Sequence, residues 1–236
     1  MKVKFLGTGQ MGVKRKNTSF VADNSILFDI GNGIMDALIQ NDLDIKDIRY
    51  IIISHFHTDH FGDLVYFLHR RKIMKLTDMS LCLIGPAGLR QKLLAFNELL
   101  MPDTFDGVST NVEFAELNNG ESYKNAAFAL KAFKVIHGSL NCNGYIFAKD
   151  KVTLGYSGDS SYCDSIISNI KNAKTWVIEA NDLTEMKDVH IGLNQVEELA
   201  AKHKDTNFYV VHRKDYPAKT EFKNIIFPDD NQTINI

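Results

Sequence analysis

The chain has few cysteines and no long apolar run. Three cysteines, Cys82, Cys142 and Cys163, are scattered over 236 residues, and their odd number and wide spacing argue against a disulfide framework and favour a reducing cytoplasm. No apolar segment approaches the roughly 18 residues that a membrane span requires. The first residues form a strand-like pattern without the apolar core of a secretory signal. We therefore expect a cytoplasmic protein that does not span a membrane.

The chain also lacks a strong net charge. It carries 27 basic and 29 acidic residues, for a formal charge of −2, so electrostatics give no global case for binding long nucleic acid. Hydrophobic residues make up 44% and charged residues 24%, as in ordinary soluble globular proteins. A chain of this length can bury a full core as one or two units.

The most informative segment is SHFHTDH at residues 54–60, which holds three histidines and an aspartate. It directly follows the apolar residues 50–53, and such a run predicts a buried strand that delivers its last residues into a site. The first two histidines point the same way on an extended segment, because side chains alternate with a period of two. The aspartate and the third histidine fall where the chain turns into a predicted helix. Imidazole and carboxylate groups together suit Zn²⁺, Fe or Mn²⁺.

This segment resembles the H-x-H-x-D-H signature of the metallo-β-lactamase superfamily. Three further residues match that family's downstream ligands in order, and each follows a strand-like run, so all would project from one edge of a sheet. The resemblance implies two divalent transition metals, with zinc favoured over manganese or iron. One metal would lie on His55, His57 and His137, and the other on Asp59, His60 and His212, with Asp159 bridging the two.

Within the superfamily the chain is most similar to the ribonuclease Z-like phosphodiesterase branch. The similarity extends over most of the chain and is most specific at the metal motif. Matching elements are the glycine loop at residues 5–9, the R-x-x-[ST]-S segment at 15–19, the D-x-G at 29–31, the YSGDS loop at 156–160, Glu179-Ala180 and His190.

Two departures argue against a role in tRNA maturation. Ribonuclease Z carries a long tRNA-binding arm between the ligands that match His137 and Asp159, whereas only 21 residues (138–158) lie between them here. The family's last motif, H-x-S-x-R-Y, is replaced by HRKDY at residues 212–216. A smaller phosphodiester substrate is therefore expected.

Several residues are candidates for roles beyond metal binding. Asp59 could orient the hydroxide that bridges the metals or accept its proton, as well as bind a metal. His190 is the candidate to protonate or stabilise the leaving oxygen, and Glu179 could orient a histidine. Arg15 and Lys214 are candidates to bind a substrate phosphate. The alternative for Arg15 and Lys214 is a solvated loop, and for His190 a surface histidine.

The order of predicted elements fits the fold that the resemblance implies. Apolar patterns predict, among other elements, strands over residues 127–137, 175–179 and 207–211 and a helix with Pro86 in its first turn. Strands followed by helices occur in both halves of the chain without a low-complexity linker, and helices that cover mixed sheets are the expectation for such alternation. The implied fold is an α+β, αββα metallo-β-lactamase sandwich, with two mixed sheets face to face and helices outside. We expect residues 1–236 to form a single domain and the protein to be a homodimer.

Three functions remain open at this point. The favoured one is a dinuclear phosphodiesterase that uses a metal-bridging hydroxide on a nucleotide, a cyclic phosphate or a short RNA. The second is a lactonase or thioesterase-type metallo-hydrolase that uses the same site. The third is a non-hydrolytic protein that binds metals.

Overall fold

Two seven-stranded β-sheets form the frame of the molecule in the computed structural model, which describes residues 1–76, 78–102 and 111–236. The first sheet has the order β14-β1-β2-β3-β4-β5-β6 and the second the order β13-β12-β11-β10-β9-β8-β7. The strands of the first sheet are β1 (Lys2–Gly7), β2 (Ser19–Ala22), β3 (Ile26–Phe28), β4 (Tyr50–Ile52), β5 (Leu81–Pro86), β6 (Val112–Leu117) and β14 (Thr233–Asn235). Those of the second are β7 (Ser122–Lys124), β8 (Ala129–Lys134), β9 (Asn143–Lys149), β10 (Val152–Tyr156), β11 (Thr175–Glu179), β12 (Asn207–Val211) and β13 (Ile225–Ile226).

Both sheets change from antiparallel to parallel pairing along their width. In the first sheet β14, β1, β2 and β3 pair antiparallel, while β3 to β6 pair parallel. In the second sheet β7 to β10 pair antiparallel and β10 to β13 pair parallel. Parallel neighbours need a crossover connection, which is usually helical. The crossovers here contain α1 (Ile34–Gln40), α2 (Thr58–Phe61), α3 (Leu64–Ile73), α4 (Leu89–Leu100), α5 (Asp164–Asn169) with the 3₁₀ turn Ile170–Asn172, and α6 (Leu193–Lys202).

Three apolar layers hold the sheets and helices together. The middle layer lies between the sheets and contains Phe20 and Phe28 from the first and Phe147 and Tyr156 from the second. Phe20 and Phe28 stack at 4.4 Å between ring centroids, and Tyr156 packs edge-on against both. The two outer layers pack each sheet against its own helices. The expected αββα sandwich is therefore confirmed.

Most strands lie where the alternation of residues predicts them, but three details differ. The predicted strand over residues 127–137 ends at Lys134, so His137 lies in the following connection and not at a strand end. The short strands β13 and β14 were not predicted, because two or three residues carry no periodic signal. Pro86 closes β5, whereas it was expected in the first turn of α4, which begins at Leu89.

None of the helices in the described part of the chain has the length and hydropathy needed to cross a membrane.

The close contact between β10 and β11 gives a test of the second sheet. Gly155 is paired with Trp176, and a Cβ atom on Gly155 would lie 2.3 Å from two carbons of the indole ring. The ring is held by a 3.1 Å hydrogen bond from its Nε1 to the carbonyl of Ile170. We expect Gly155→Ala to lower the free energy of unfolding by about 1–3 kcal/mol, since a packed core tolerates extra methyl groups poorly. Urea denaturation measures this change.

The control is Lys131→Ala, at an exposed position on β8, which should change stability by less than about 0.5 kcal/mol. Equal stability of the Gly155→Ala protein and the parent would contradict this description of the sheet.

Candidate metal centre

The candidate site lies at the carboxyl ends of the parallel strands, where both sheets present loops to the same region. Residues 53–57 follow β4, Asp159 follows β10 by three residues, and His212 directly follows β12. Ligands commonly bind outside the carboxyl ends of parallel strands, because the loops there meet at one edge. The sandwich thus brings residues from distant parts of the sequence together.

A first group consists of His55, His57 and His137. The Nδ1 atom of His57 lies 3.1 Å from Nε2 of His55 and 3.2 Å from Nε2 of His137. Nitrogen ligands at roughly 2.1 Å from a tetrahedral ion lie about 3.4 Å from one another, so these spacings suit one cation. Burial, followed by the charge of His60, lowers the pKa of His55 well below its usual value. A neutral imidazole is the form that binds a metal.

A second group consists of Asp59, His60, Asp159 and His212, all of which are buried. Nε2 of His60 lies 3.2 Å from Oδ1 of Asp159, and Nε2 of His212 lies 3.2 Å from Oδ2 of the same carboxylate. Oδ2 of Asp59 is 3.6 Å from Nε2 of His60 and 3.5 Å from Nε2 of His212. Two carboxylates and two imidazoles converge on a volume the size of one ion.

Asp159 lies between the two groups. Besides its contacts with the second group, its Oδ2 atom is 3.9 Å from Nε2 of His55 and 3.8 Å from Nε2 of His137. These distances place one carboxylate within reach of ligand atoms from both groups. This is the location that the sequence resemblance implies for a bridging ligand.

The chemistry of the cluster fits bound cations. Nε2 of His60 and Oδ1 of Asp159 are buried and have no partner within hydrogen-bond distance among the described residues except each other, at 3.2 Å, although buried polar atoms usually make well-formed hydrogen bonds. Both atoms point into the second group, and a divalent ion there would satisfy both at once. Mixed nitrogen and oxygen donors are typical of zinc and of similar transition metals.

The carboxylates strongly perturb the neighbouring imidazoles. Burial alone would lower the pKa of His212, but the charge of Asp159 and the hydrogen bond to Asp59 outweigh it and raise this pKa to about 10. His60 is shifted in the same direction, since the charges of Asp159 and Asp29 overcome its burial and raise its pKa well above the usual value. Burial would raise the pKa of Asp159, but His212 and His60 hold it well below its usual range.

A sequence profile of a known family matches nearly the whole chain. The profile is that of the Anti-Pycsar protein Apyc1 family, and it covers residues 1–227. The chain belongs to this family.

Relatives of this Apyc1-family chain are metallo-β-lactamase-fold proteins of the ribonuclease Z-like branch. Ribonuclease Z of Staphylococcus haemolyticus is 30% identical over 146 residues, which cover 58% of this chain and 46% of the relative. The chain thus matches about half the length of such curated relatives. Human tRNase Z, short form, superposes with a TM-score of 0.79 at 20% identity over 100% of this chain and 99% of that one. A diphosphatase of the PhnP family gives a TM-score of 0.77 at 19% identity over 100% and 97%.

His190 and Glu179 border the candidate metal centre of this family member. His190 lies between two candidate ligands, with ring centroids 4.9 Å from His137 and 5.2 Å from His212. Its Nδ1 atom is 2.9 Å from Oε2 of Glu179, and the same oxygen is 3.6 Å from Nδ1 of His212. Oε1 of Glu179 accepts a hydrogen bond from the backbone N–H of Ser160. His190 is thus part of the site and not an isolated surface histidine.

Arg15 and Lys214 do not line the metal pocket. Arg15 forms an ion pair with Asp215 at 3.2 Å, and Lys214 forms one with Asp182 at 2.9 Å. The role of both in binding substrate stays a prediction, since each would first have to leave its acidic partner.

The pocket above the candidate ligands has a volume of about 580 Å³, which is within the range of small-molecule sites. Its walls combine five of the candidate ligands and His190 with the apolar residues Met11, Phe56 and Val189. No lysine or arginine is found among its described lining residues.

Sequence reasoning missed some residues of the site. Gln10 and Met11 line the pocket from the early glycine loop, and Gln10 accepts a 2.6 Å hydrogen bond from Asn181. Asp29 was noted only as part of a motif, yet its carboxylate is buried against His60. An aspartate directly after an apolar strand was the available signal, because a charge at such a position needs partners.

Protons should leave the site when a metal binds. The pKa of His60 is raised well above its usual value and that of His212 to about 10, and an imidazole must lose its proton before it can bind a metal. We expect zinc binding at neutral pH to release about two protons, so the apparent affinity should rise with pH. Calorimetry in buffers of different ionisation enthalpy counts these protons.

The matched variant is His212→Ala, which should release about one proton fewer. Heats that do not depend on the buffer would contradict this account of the charges.

Proposed function

We propose that this protein is a metal-dependent hydrolase, and specifically a dinuclear phosphodiesterase that acts on a nucleotide, a cyclic phosphate or a short RNA. The two groups described above would hold two divalent transition metals, with zinc as the first candidate. The observation that carries this proposal is the position of Asp159 between ligand atoms of both groups, at 3.2–3.9 Å from four histidine nitrogens.

A pair of cations would lower the pKa of a shared water and polarise the attacked phosphoryl group. Asp59 would hold that water and take its proton. Oδ2 of Asp59 is within 3.6 Å of two candidate ligands, and Asp59 lines the open pocket. The hydrogen bond to His212 and the charge of His60 outweigh its burial and keep the pKa of Asp59 well below its usual range, so the carboxylate stays ionised and can accept a hydrogen bond from that water.

His190 would donate a proton to the leaving oxygen. The carboxylate of Glu179 accepts the Nδ1–H of His190 at 2.9 Å, which orients the ring. His190 lines the same pocket as Asp59 and Asp159. The acid and the proton acceptor are thus both on the walls of one small cavity.

Phosphoryl chemistry on a small substrate is favoured over the other functions. Relatives of this chain are named ribonuclease Z, tRNase Z and diphosphatase, and the family is described as anti-Pycsar; we extend both to this chain as part of the proposal. Long RNA is bound through many Lys and Arg contacts to phosphate, whereas the described lining of this pocket has none. The short hairpin β9–β10 occupies the chain between His137 and Asp159.

Several further features of this protein stay predictions. They are a single domain over residues 1–236, a cytoplasmic location, a homodimer, and a role for Arg15 and Lys214 in binding substrate.

Metal content and turnover test the proposal together. Purified, metal-loaded protein should contain about two zinc ions per chain by mass spectrometry and should hydrolyse bis-p-nitrophenyl phosphate. His57→Ala and Asp59→Asn should each lower turnover by more than about 100-fold, because each removes a ligand of one cation. His203→Ala, which changes a histidine at the end of α6, is the control and should keep both metals and activity.

One ion or none in the loaded parent, or unchanged turnover in both variants, would reject the dinuclear phosphodiesterase. Hydrolysis of a lactone or a thioester in its place would favour the acyl-hydrolase alternative.

Two substrates with different leaving groups test whether His190 acts as the proton donor. His190→Gln should reduce turnover of a dinucleotide by about 10²–10⁴-fold, because its alkoxide leaving group needs a proton. Turnover of bis-p-nitrophenyl phosphate should fall far less, since its p-nitrophenolate leaving group needs no protonation. The comparison requires the kcat of each substrate with each protein.

Glu179→Gln should show the same dependence on the leaving group with a smaller loss. Equal losses on the two substrates would show that His190 does not act as the acid.

A further inference from the structure

We propose that the side-chain amide of Gln10 donates a hydrogen bond to a non-bridging oxygen of the substrate phosphate, and that Asn181 orients this amide. The inference deepens the proposed function and rests on it, because it concerns the substrate of the two-metal site. Gln10 directly follows the glycine loop at residues 5–9, and none of the sequence motifs assigns it a role.

The metal pocket has few side chains that can donate a hydrogen bond to a phosphate. Its described lining contains no lysine or arginine, and its histidines are candidate ligands or, in the case of His190, the candidate acid. The other side-chain donors on its walls are the amide of Gln10 and the hydroxyl of Thr58. Charge that develops on the oxygens of a reacting phosphoryl group is best stabilised by donors that are already in place.

Asn181 determines which end of the Gln10 amide is occupied within the protein. Nδ2 of Asn181 donates to Oε1 of Gln10 at 2.6 Å, so the amide oxygen is turned toward a buried residue. The Nε2 group of Gln10 carries two hydrogens and has no hydrogen-bond partner among the described residues. Gln10 is half-buried and lines the pocket, so this nitrogen is the end of the amide that is left for a ligand.

Asn181 is itself held in place beside the second metal group. Its backbone N–H donates to the carbonyl of Ile191 at 3.0 Å, and its carbonyl accepts the N–H of Lys214 at 3.0 Å. Its Nδ2 atom lies 3.5 Å from Nδ1 of His212, the ring nitrogen on the far side from the candidate ligand atom Nε2. The anchored asparagine therefore places the Gln10 amide next to a candidate metal ligand.

Backbone hydrogen bonds fix the loop that carries Gln10 against the segment of the last ligand. The N–H of Gln10 donates to the carbonyl of Arg213 at 3.3 Å, and the N–H of Arg213 donates to the carbonyl of Thr8 at 3.2 Å. Arg213 directly follows His212, so the loop and this candidate ligand are held together. A donor that is fixed before the substrate binds loses little entropy when it does so.

A neutral donor suits the charges of this pocket. A lysine on the same wall would form ion pairs with Asp59 and Asp159 and compete with cations for them, whereas an amide leaves both carboxylates to the metals. The hydroxyl of Thr58 is also neutral, but this residue is exposed and no described side chain orients its hydroxyl. Gln10 is therefore the uncharged donor that the protein holds ready for the substrate.

Kinetics of two Gln10 variants on two substrates test this inference. Bis-p-nitrophenyl phosphate and methyl p-nitrophenyl phosphate share the phosphate and the leaving group but differ in the remaining ester group. We expect Gln10→Ala to keep two zinc ions per chain and to lower kcat/KM by about 10–100-fold on both substrates, as loss of one hydrogen bond to a charged acceptor does. Gln10→Glu should lose about tenfold more, because its carboxylate would repel the phosphate.

A double-mutant cycle tests the part played by Asn181. A carboxylate can only accept hydrogen bonds, so Asn181→Asp should turn the Gln10 amide over and direct its oxygen into the pocket. We expect the loss of kcat/KM caused by Asn181→Asp to be about tenfold larger in the parent than in the Gln10→Ala protein, where no amide remains to be turned. Equal losses in the two proteins would show that Asn181 does not act through Gln10.

The matched control is Gln91→Ala, which removes a glutamine from an exposed position on α4. It should keep both zinc ions and leave kcat/KM within about twofold of the parent.

The outcomes separate this inference from the proposed function. If the parent binds two zinc ions and cleaves both diesters, but Gln10→Ala is unimpaired or is impaired on only one of them, the role of Gln10 is overturned alone. Loss of zinc from Gln10→Ala overturns it as well, because the glutamine would then support the ligands and not the substrate. If Asn181→Asp does not fold, the two Gln10 variants still decide. Fewer than two ions in the parent, or no diester turnover, would overturn the proposed function and this inference with it.

Discussion

The buried carboxylate of Asp159 is the constraint on which the site depends. An unpaired ionised carboxylate in the interior is very costly, so it must be balanced by positive charge. That charge comes from His60 and His212, whose pKa values are raised by this same carboxylate. These imidazoles can be replaced as the positive partners by cations, to which they then bind. The cluster is therefore arranged so that protons and metals compete for the same atoms.

The sandwich fold allows such a charged cluster to be buried. Parallel strands in both sheets end at the same edge, and the chain turns sharply there, with left-handed φ angles of 54°, 55° and 53° at Asp29, Gly158 and His212. Each turn places a polar group under or within the site while the apolar strand before it stays in the core. The middle layer of aromatic rings fixes how the two sheets face each other, and thereby how far apart the two ligand groups lie. The packing that stabilises the core therefore also sets the geometry of the site.

Sequence reasoning succeeded where local pattern and chemistry coincide. The residues around His55 and His60 join a short apolar strand to a cluster of ligand types, so their position and their proximity could be predicted before any fold was known. The strands at 175–179 and 207–211 were predicted with their observed bounds, because both are short apolar runs with clear ends. By contrast, the hydrogen bond from the Tyr156 hydroxyl to Asp29 joins residues that are 127 apart in the chain, and no local pattern encodes that contact. The ion pairs of Arg15 and Lys214 were equally hidden, because their acidic partners come from separate loops.

The charge of the pocket bears on the choice of substrate in the proposed reaction. A phosphodiester brings a negative charge into a cavity whose described lining contains two aspartates, Asp59 and Asp159, but no lysine or arginine. The positive charges that the histidines supply are already paired with these aspartates, so the metals would have to serve as the anion-binding element as well as the source of the nucleophile. A long polyanion gains most of its affinity from many separate phosphate contacts, which one such centre cannot provide. A small phosphodiester would place its one reactive phosphate at the proposed metals. Its organic group would pack against Met11, Phe56 and Val189, and for this reason the small phosphodiester is the better match.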